Sequence, residues 1–252
     1  MNFRITILIA FLCSLQLAKA QSGNVVLIEQ FTETGCGACS QYDSAFQAMI
    51  RANSEKVAVI NYHCFYKLDT FYTYNQSCDK RYGVYEIKDG YPTAIANGKK
   101  PGVTSAHMTF VKESVINKYY EEPPKFKIEI SKSPDKKIKG NNEVIKVKAT
   151  PLQENPSKDI RIFVAITENN INYFERYKTK TPNGLDHFDN IIRAMLPDTG
   201  GYQIGSVKTG KAKEVKVTYI NDDKEINFKE TKIIAFVQDM ETKEILGTSV
   251  LK

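Results

Sequence analysis

The chain is poor in the residues that build metal sites and membrane spans. Among its 252 residues there is no tryptophan, and there are three histidines and five cysteines. Beyond the first twenty residues no apolar run is long enough to cross a bilayer as a helix. Ten-residue strands with a lipid-facing apolar band do not recur, so a membrane-spanning barrel is not expected either. There is no internal repeat and no low-complexity tract. A large excess of one charge is also missing. The formal net charge is +6, and the basic residues are spread along alternating segments such as "KFKIEISK" and "KEVKVTY". That pattern belongs to a solvated sheet face and excludes the clustered cationic footprint of a nucleic-acid site.

What is present begins with "MNFRITILIAFLCSLQLAKA": Arg4, an apolar run from Ile5 to Leu12, and a small-x-small ending at Ala18-Lys19-Ala20. Residues 1–20 are expected to be a secretory signal peptide, cleaved before Gln21. Cys13 as a lipid-modified cysteine is the lesser alternative, because in "IAFL" the residue next to the thiol is Leu12, where such a site favours a small one. Loss of Arg4 and Lys19 takes the net charge from +6 to +4, and loss of Cys13 leaves four cysteines. Export puts those four where disulfides persist. The remaining length is about that of two modest domains.

Residues 25–31, "VVLIEQF", predict a strand buried on both faces, as in the centre of a parallel sheet. From Cys39 the period changes. Tyr42, Ala45, Phe46, Met49 and Ile50 fall on one face of a helix, with Cys39 on that inward face and Cys36 at its start. "VAVINYHCF" (57–65) predicts a second buried strand, and Phe71, Tyr74, Cys78 and Tyr82 one face of a further helix. "YPTAIANGKKPGV" (91–103) predicts a hairpin with positive φ at Asn97-Gly98, and residues 110–119 a closing helix. The prolines of "EEPP" (121–124) end that helix and mark a linker. Beyond it, "KFKIEIS", "EVIKVKATP", "DIRIFVAITE", "EVKVTYI", "TKIIAFVQD" and "ILGTSVL" predict the short strands of an antiparallel sandwich. The insert "NGLDHFDNIIRAMLPDTGG" does not alternate and predicts a loop with a short helix. Asp186, His187 and Asp189 within it have no matching nucleophile motif, and "NQS" at 75–77 is read as helix surface.

The chemistry concentrates in "GCGAC", where Cys36 and Cys39 are three residues apart at a helix start. The free N–H groups and positive dipole end of the helix stabilise a thiolate at Cys36, and Cys39, one turn in, is placed to resolve a mixed disulfide. Cys36 is thus the expected attacking thiol and Cys39 the resolving one. Two other readings stay open. A structural disulfide would close so short a loop that it adds little stability. A zinc site needs four ligands, and Cys64, Cys78, His63 and His107 lie at no knuckle spacing. A Cys64–Cys78 bridge would close a loop of about 15 residues and is read first as a structural staple, second as an electron-relay pair. No cofactor is expected, and His107 and His187 are given no role.

The run strand, CxxC, helix, strand, helix, "GYPTAIANG" resembles the thioredoxin fold over about residues 24–121. That resemblance implies a cis Tyr91-Pro92 peptide, with Pro92 lying against the Cys36–Cys39 pair and offering backbone to an extended substrate. The chain departs from the family in having Gly35 where an aromatic precedes the first cysteine, and Gly-Ala between the cysteines. Gln30 stands where an acid assists the buried thiol, with Glu29 expected on the opposite face. "IEQFTETGCGAC", "DHFDNIIRAMLP" and "IIAFVQDMETKEILGTS" extend the likeness over the mature chain. Together they resemble the family named for a 28-kilodalton outer-membrane protein of Bacteroidetes. The layout so implied is an α/β thioredoxin-like domain at 21–122 followed by an all-β immunoglobulin-like sandwich at 123–252. The function implied is an exported thiol–disulfide oxidoreductase of the periplasm or outer-membrane surface, acting on cysteines of other exported proteins. The alternative is a non-enzymatic envelope binding protein that uses the thioredoxin-like domain as a scaffold.

Overall fold

The computed structural model describes residues 24–74, 77–88, 90–99, 104–105, 108–221 and 223–251. The expected leader at 1–20 with Cys13, the sequon residues 75–76 and His107 lie outside the described residues.

The first half contains β1 (Val26–Thr32), α1 (Gly37–Ala52), β2 (Val57–His63), α2 (Thr70–Tyr74), α3 (Ser77–Val84), β3 (Thr93–Ala96), β4 (Thr104–Ser105), β5 (Met108–Thr109) and α4 (Glu113–Glu121). β1 runs parallel to β2, with Val26 opposite Val57, and antiparallel to β3, with Ile28 opposite Ala96. Both faces of β1 are covered, which is why its sequence is apolar without alternation. On one face α1 and α4 pack Phe46, Ile50, Ile116 and Tyr119 against Val26, Ile28, Val57 and Val59. The helix expected over 71–82 is represented by α2 and α3, with residues 75–76 between them undescribed. The turn after β3 has φ 45° at Asn97 and 78° at Gly98. A Cβ on Gly98 would lie 1.8 Å from the Lys243 carbonyl oxygen, so only glycine fits there. Of the expected return strand, residues 100–103 lie outside the described residues.

The second half contains β6 (Phe126–Ser133), β7 (Asn141–Pro151), β8 (Ile160–Glu168), β9 (Ile171–Asn172), α5 (Tyr173–Tyr177), β10 (His187–Phe188), β11 (Ile191–Leu196), β12 (Tyr202–Gln203), β13 (Lys213–Asn221), a 3₁₀ turn (Phe228–Glu230), β14 (Thr231–Asp239) and β15 (Ile245–Leu251). β13, β7 and β6 make one antiparallel sheet in that order. The remaining long strands join the first half in a ten-stranded mixed sheet, ordered β15-β14-β8-β11-β2-β1-β3-β5-β4, with β12 also paired to β8. The expected boundary at 122/123 falls between α4 and β6, and the main sheet runs across both halves.

β11 makes that join. It is antiparallel to β8 and parallel to β2 through Ile191 opposite Asn61. The Asn61 side chain ties the seam by donating to the Asp189 carbonyl at 2.7 Å. This corrects the expectation of a loop with a short helix over 183–201. Arg193 sits where the β8–β11 register slips between Ile192 and Ala194, and that bulge is what breaks the alternation of "IIRAML". The Arg193 guanidinium is neutralised within the fold by Glu168 at 2.8 Å.

The main sheet folds back on itself about β11, so that β8, β14 and β15 cover one face of β1, β2 and β3. Phe163, Ala165, Ile234 and Phe236 of β8 and β14 pack with Leu27, Phe31, Ile60 and Tyr62 of β1 and β2. The alternate residues of the same strands, Ile162, Val164, Ile166, Ile233, Ala235 and Val237, pack against Ile128, Ile145, Val147 and Val217 of the three-stranded sheet. The layers therefore run from α1 and α4, through β1–β3, to β8–β14–β15 and finally β6–β7–β13.

Candidate dithiol site

Cys36 and Cys39 lie at disulfide distance, their Cα atoms 5.2 Å apart. Cys36 is the N-cap of the 16-residue α1, with extended backbone at φ −85° and ψ 109°. Its Sγ accepts the backbone N–H of Cys39 at 3.0 Å, the place a capping oxygen usually takes. The first turn of α1 carries no acid, so nothing there opposes negative charge on the Cys36 sulfur. Cys36 is half-buried and Cys39 is 2% exposed. The Tyr91-Pro92 peptide is cis, and the Tyr91 carbonyl oxygen lies 3.7 Å from Cys36 Sγ, placed to accept from the reduced thiol.

Gln30 and Glu29 point to opposite faces of β1. Gln30 faces the α1 side, 2% exposed, and its Oε1 has no hydrogen-bond partner among the described residues. It lines a small polar cavity of about 10 Å³ with Asp43, Asn61, His63 and Asn183. Burial raises the Asp43 carboxyl above its usual range. Burial, then the charge of Asp69, does the same to Glu33. His63 does not point to the cysteines as a ligand. Its Nδ1 is 2.7 Å from Asp69, which also accepts the Thr34 and Phe71 backbone N–H groups at 2.7 and 2.9 Å. This carboxylate pins the loop after β2 to the turn before Cys36.

Cys64 and Cys78 pair with each other, Cα atoms 5.4 Å apart, and both are fully buried. The bridge joins the end of β2 to α3, and α3 carries Arg81 into the interior. Arg81 donates to both Glu29 oxygens at 2.7 and 2.8 Å, to Gln238 of β14 at 2.9 Å and to Tyr85 at 2.8 Å. Its guanidinium lies over the Phe163 and Phe236 rings at 5.1 and 5.5 Å. In sequence, Arg81 stands beside Tyr82 in "DKRYG" with no signal that marks it as interior. His187 and Asp189 line the same cavity as Gln30, Asp43 and His63, and Asn183 ties their loop to the cysteine turn. The Asn183 N–H donates to the Thr34 carbonyl at 2.9 Å, and its side chain reaches the Glu33 and Cys36 carbonyls at 3.4 Å. A loop of the second half thus lies against the cysteine turn of the first.

No protein-family model matches the chain, and no curated protein sequence does. Among solved structures, HBP35 of Porphyromonas gingivalis is similar with a TM-score of 0.71 and 14% identity, over 91% of this chain and 75% of that one. Protein AGR_C_4864 of Agrobacterium tumefaciens is similar with a TM-score of 0.52 and 16% identity, over 92% of this chain and 96% of that one. At these identities the likeness is one of fold.

Proposed function

We propose that the chain is an exported thiol–disulfide oxidoreductase acting on cysteines of other exported proteins. The observation that carries this reading is the Cys36 sulfur at the N-cap of α1, half-buried and accepting the Cys39 N–H, with Cys39 shielded behind it. In the reducing direction the Cys36 thiolate attacks one sulfur of a substrate disulfide. A Cys36–substrate disulfide forms and the first substrate thiolate leaves. Cys39, losing its proton, attacks Cys36 Sγ and expels the second substrate thiolate. Two electrons pass to the substrate, two protons balance its thiols, and the Cys36–Cys39 disulfide remains. Oxidation of a substrate dithiol is the same sequence reversed.

On this reading residues 21–122 form the thioredoxin-like unit and 123–252 the immunoglobulin-like sandwich. The helix between parallel β1 and β2, and antiparallel β3 following Pro92, support the first assignment. The two packed sheets around Ile162, Val164 and Val147 support the second. Likeness in fold to HBP35 of Porphyromonas gingivalis supports a relation to the outer-membrane-protein family named above. We place the protein in the periplasm or on an envelope surface, on the strength of the leader-like residues 1–20. Among the described residues no helix is long and apolar enough to cross a membrane.

A second reading, a binding protein with locked cysteines, is favoured by Gln30 standing where the family places an acid. Glutathione equilibration with thiol trapping separates the two. A Cys36–Cys39 couple at about −120 to −270 mV, absent in Cys36→Ser, supports the oxidoreductase. A pair still oxidised below about −300 mV supports the scaffold.

A further inference from the structure

The loop between Cys64 and Asp69 exposes apolar side chains that the fold does not need. Phe65 is 48% exposed and Leu68 is 76% exposed, on a surface where large apolar side chains are otherwise scattered. Phe65 adopts φ 54°, a left-handed conformation that bulky residues avoid, and such strain gathers at functional sites. The loop is held at both ends. Cys64 is bridged to Cys78, and Asp69, fully buried, takes the Thr34 and Phe71 N–H groups. Between these anchors the Phe65 ring meets Tyr82 edge-on at 5.3 Å, and Tyr82 meets Tyr91 at 5.9 Å. The Tyr91 carbonyl is the group beside Cys36 Sγ. Tyr66, the next loop residue, lies over the backbone of Gly35, where a Cβ would stand 3.0 Å from its ring. An aromatic ridge therefore runs from a strained loop, anchored at both ends, to the attacking sulfur.

We infer that Phe65 and Leu68 determine substrate specificity by receiving the polypeptide segment that flanks a substrate cysteine, and that the segment preferred is an extended one with bulky apolar side chains beside the sulfur. The inference rests on the dithiol reading. Chemistry at Cys36 requires a sulfur on the partner, so the chain on either side of that sulfur must cross the surface around Tyr91. The ridge offers the exposed Phe65 ring and the half-buried rings of Tyr82 and Tyr91, and its two-ended anchoring means little ordering is lost on docking. Folded exported proteins keep such flanks buried. The substrate class is thus cysteines in incompletely folded chains.

The test uses the full chain with its dithiol reduced, and two ten-residue peptides whose single cysteine carries a thionitrobenzoate leaving group. One has Leu and Phe beside the cysteine, the other Ser. Attack of Cys36 on the peptide sulfur releases the coloured thiolate, and Cys39 then frees the peptide thiol. A small symmetric disulfide, 2-hydroxyethyl disulfide, serves as the reference. The wild type is expected to prefer the apolar peptide by about tenfold, the scale of partly burying one large apolar side chain. Phe65→Asn, which removes the ring and tolerates the left-handed backbone, and Leu68→Ser should each erode that preference, and the double variant should abolish it. Reactivity with the small disulfide should stay unchanged. Equal rates for the two peptides in wild type, or a preference surviving in the double variant, would overturn the inference and leave the dithiol reading standing. A wild type inert toward the small disulfide would overturn both.

Discussion

Arg81 and Asp69 show how single charges are tolerated inside this fold. Arg81 is fully buried, and its Glu29 partner, the Gln238 amide and the Tyr85 hydroxyl take up its donors. Burial raises the Tyr62 and Tyr85 phenols well above their usual range, so both remain donors to Glu29. Removing one partner of such a pair leaves the other charge desolvated and unmatched. Arg81→Ala is expected to lower stability by about 3–5 kcal/mol in urea unfolding. Arg81→Lys should rescue little of it, because an ammonium cannot span both Glu29 oxygens in a fork. For Asp69, burial acts to raise the carboxyl, but His63 and the backbone donors of Thr34 and Phe71 outweigh it, and the net position is below the usual carboxylate range. A carboxyl lowered on folding adds stability above its unfolded pKa of about 4 and loses it as pH falls through the folded value. Asp69→Asn should therefore be less stable than wild type at neutral pH, with the gap closing on acidification below about pH 4. A gap independent of pH would sink this account.

At the scale of elements, α1 and α3 are both positioned by cysteines but in different ways. α1 begins on Cys36, and that pair closes a three-residue separation that constrains the unfolded chain little. α3 is stitched to β2 across a separation of 14 residues. Replacing Cys64 and Cys78 together by alanine is expected to cost about 3 kcal/mol, read as a lowered midpoint in chemical denaturation. The Cys36–Cys39 couple should persist in that variant if the second bridge is a staple. A shift of its potential would instead mark the bridge as an electron relay. The periodicity of α1 was legible because Phe46 and Ile50 face one buried layer while the outer face is solvated. β11 was not. Its Arg193 is buried against Glu168 at a bulge, and a charge inside an apolar run looks alike in sequence whether it is solvated or paired.

At the scale of the molecule, the two halves are linked by more than a connection. They share the β2–β11 seam, the apolar layer of Phe31, Tyr62, Phe163 and Phe236, and the Arg81–Glu29–Gln238 network. The full chain is expected to unfold in one cooperative transition, by calorimetry or by coincident fluorescence and circular dichroism. Residues 24–122 alone would expose the face of β1 and β2 that β8 and β14 cover. That fragment should bind hydrophobic dyes and lack the native near-ultraviolet signal. A stable, dye-silent fragment would show that the halves are energetically independent.

The sequence by itself determined the elements whose burial is one-sided or complete, the placing of Cys36 and Cys39 at a helix start, the Asn97-Gly98 turn and the end of α4 before the prolines of "EEPP". These follow from local rules: period 3.6 or 2, the αL tolerance of Asn and Gly, and the missing N–H of proline. The pairing of Cys64 with Cys78 could be proposed from spacing, but the distance that closes it is tertiary. Tertiary structure alone decided that the main sheet runs through both halves, that Arg81 lies inside, and that Asn183 and Tyr66 come to rest on the cysteine turn. The reason is physical. A side chain's own sequence neighbourhood sets its backbone preference, whereas its solvation and partners are set by residues up to 157 positions away, as between Arg81 and Gln238.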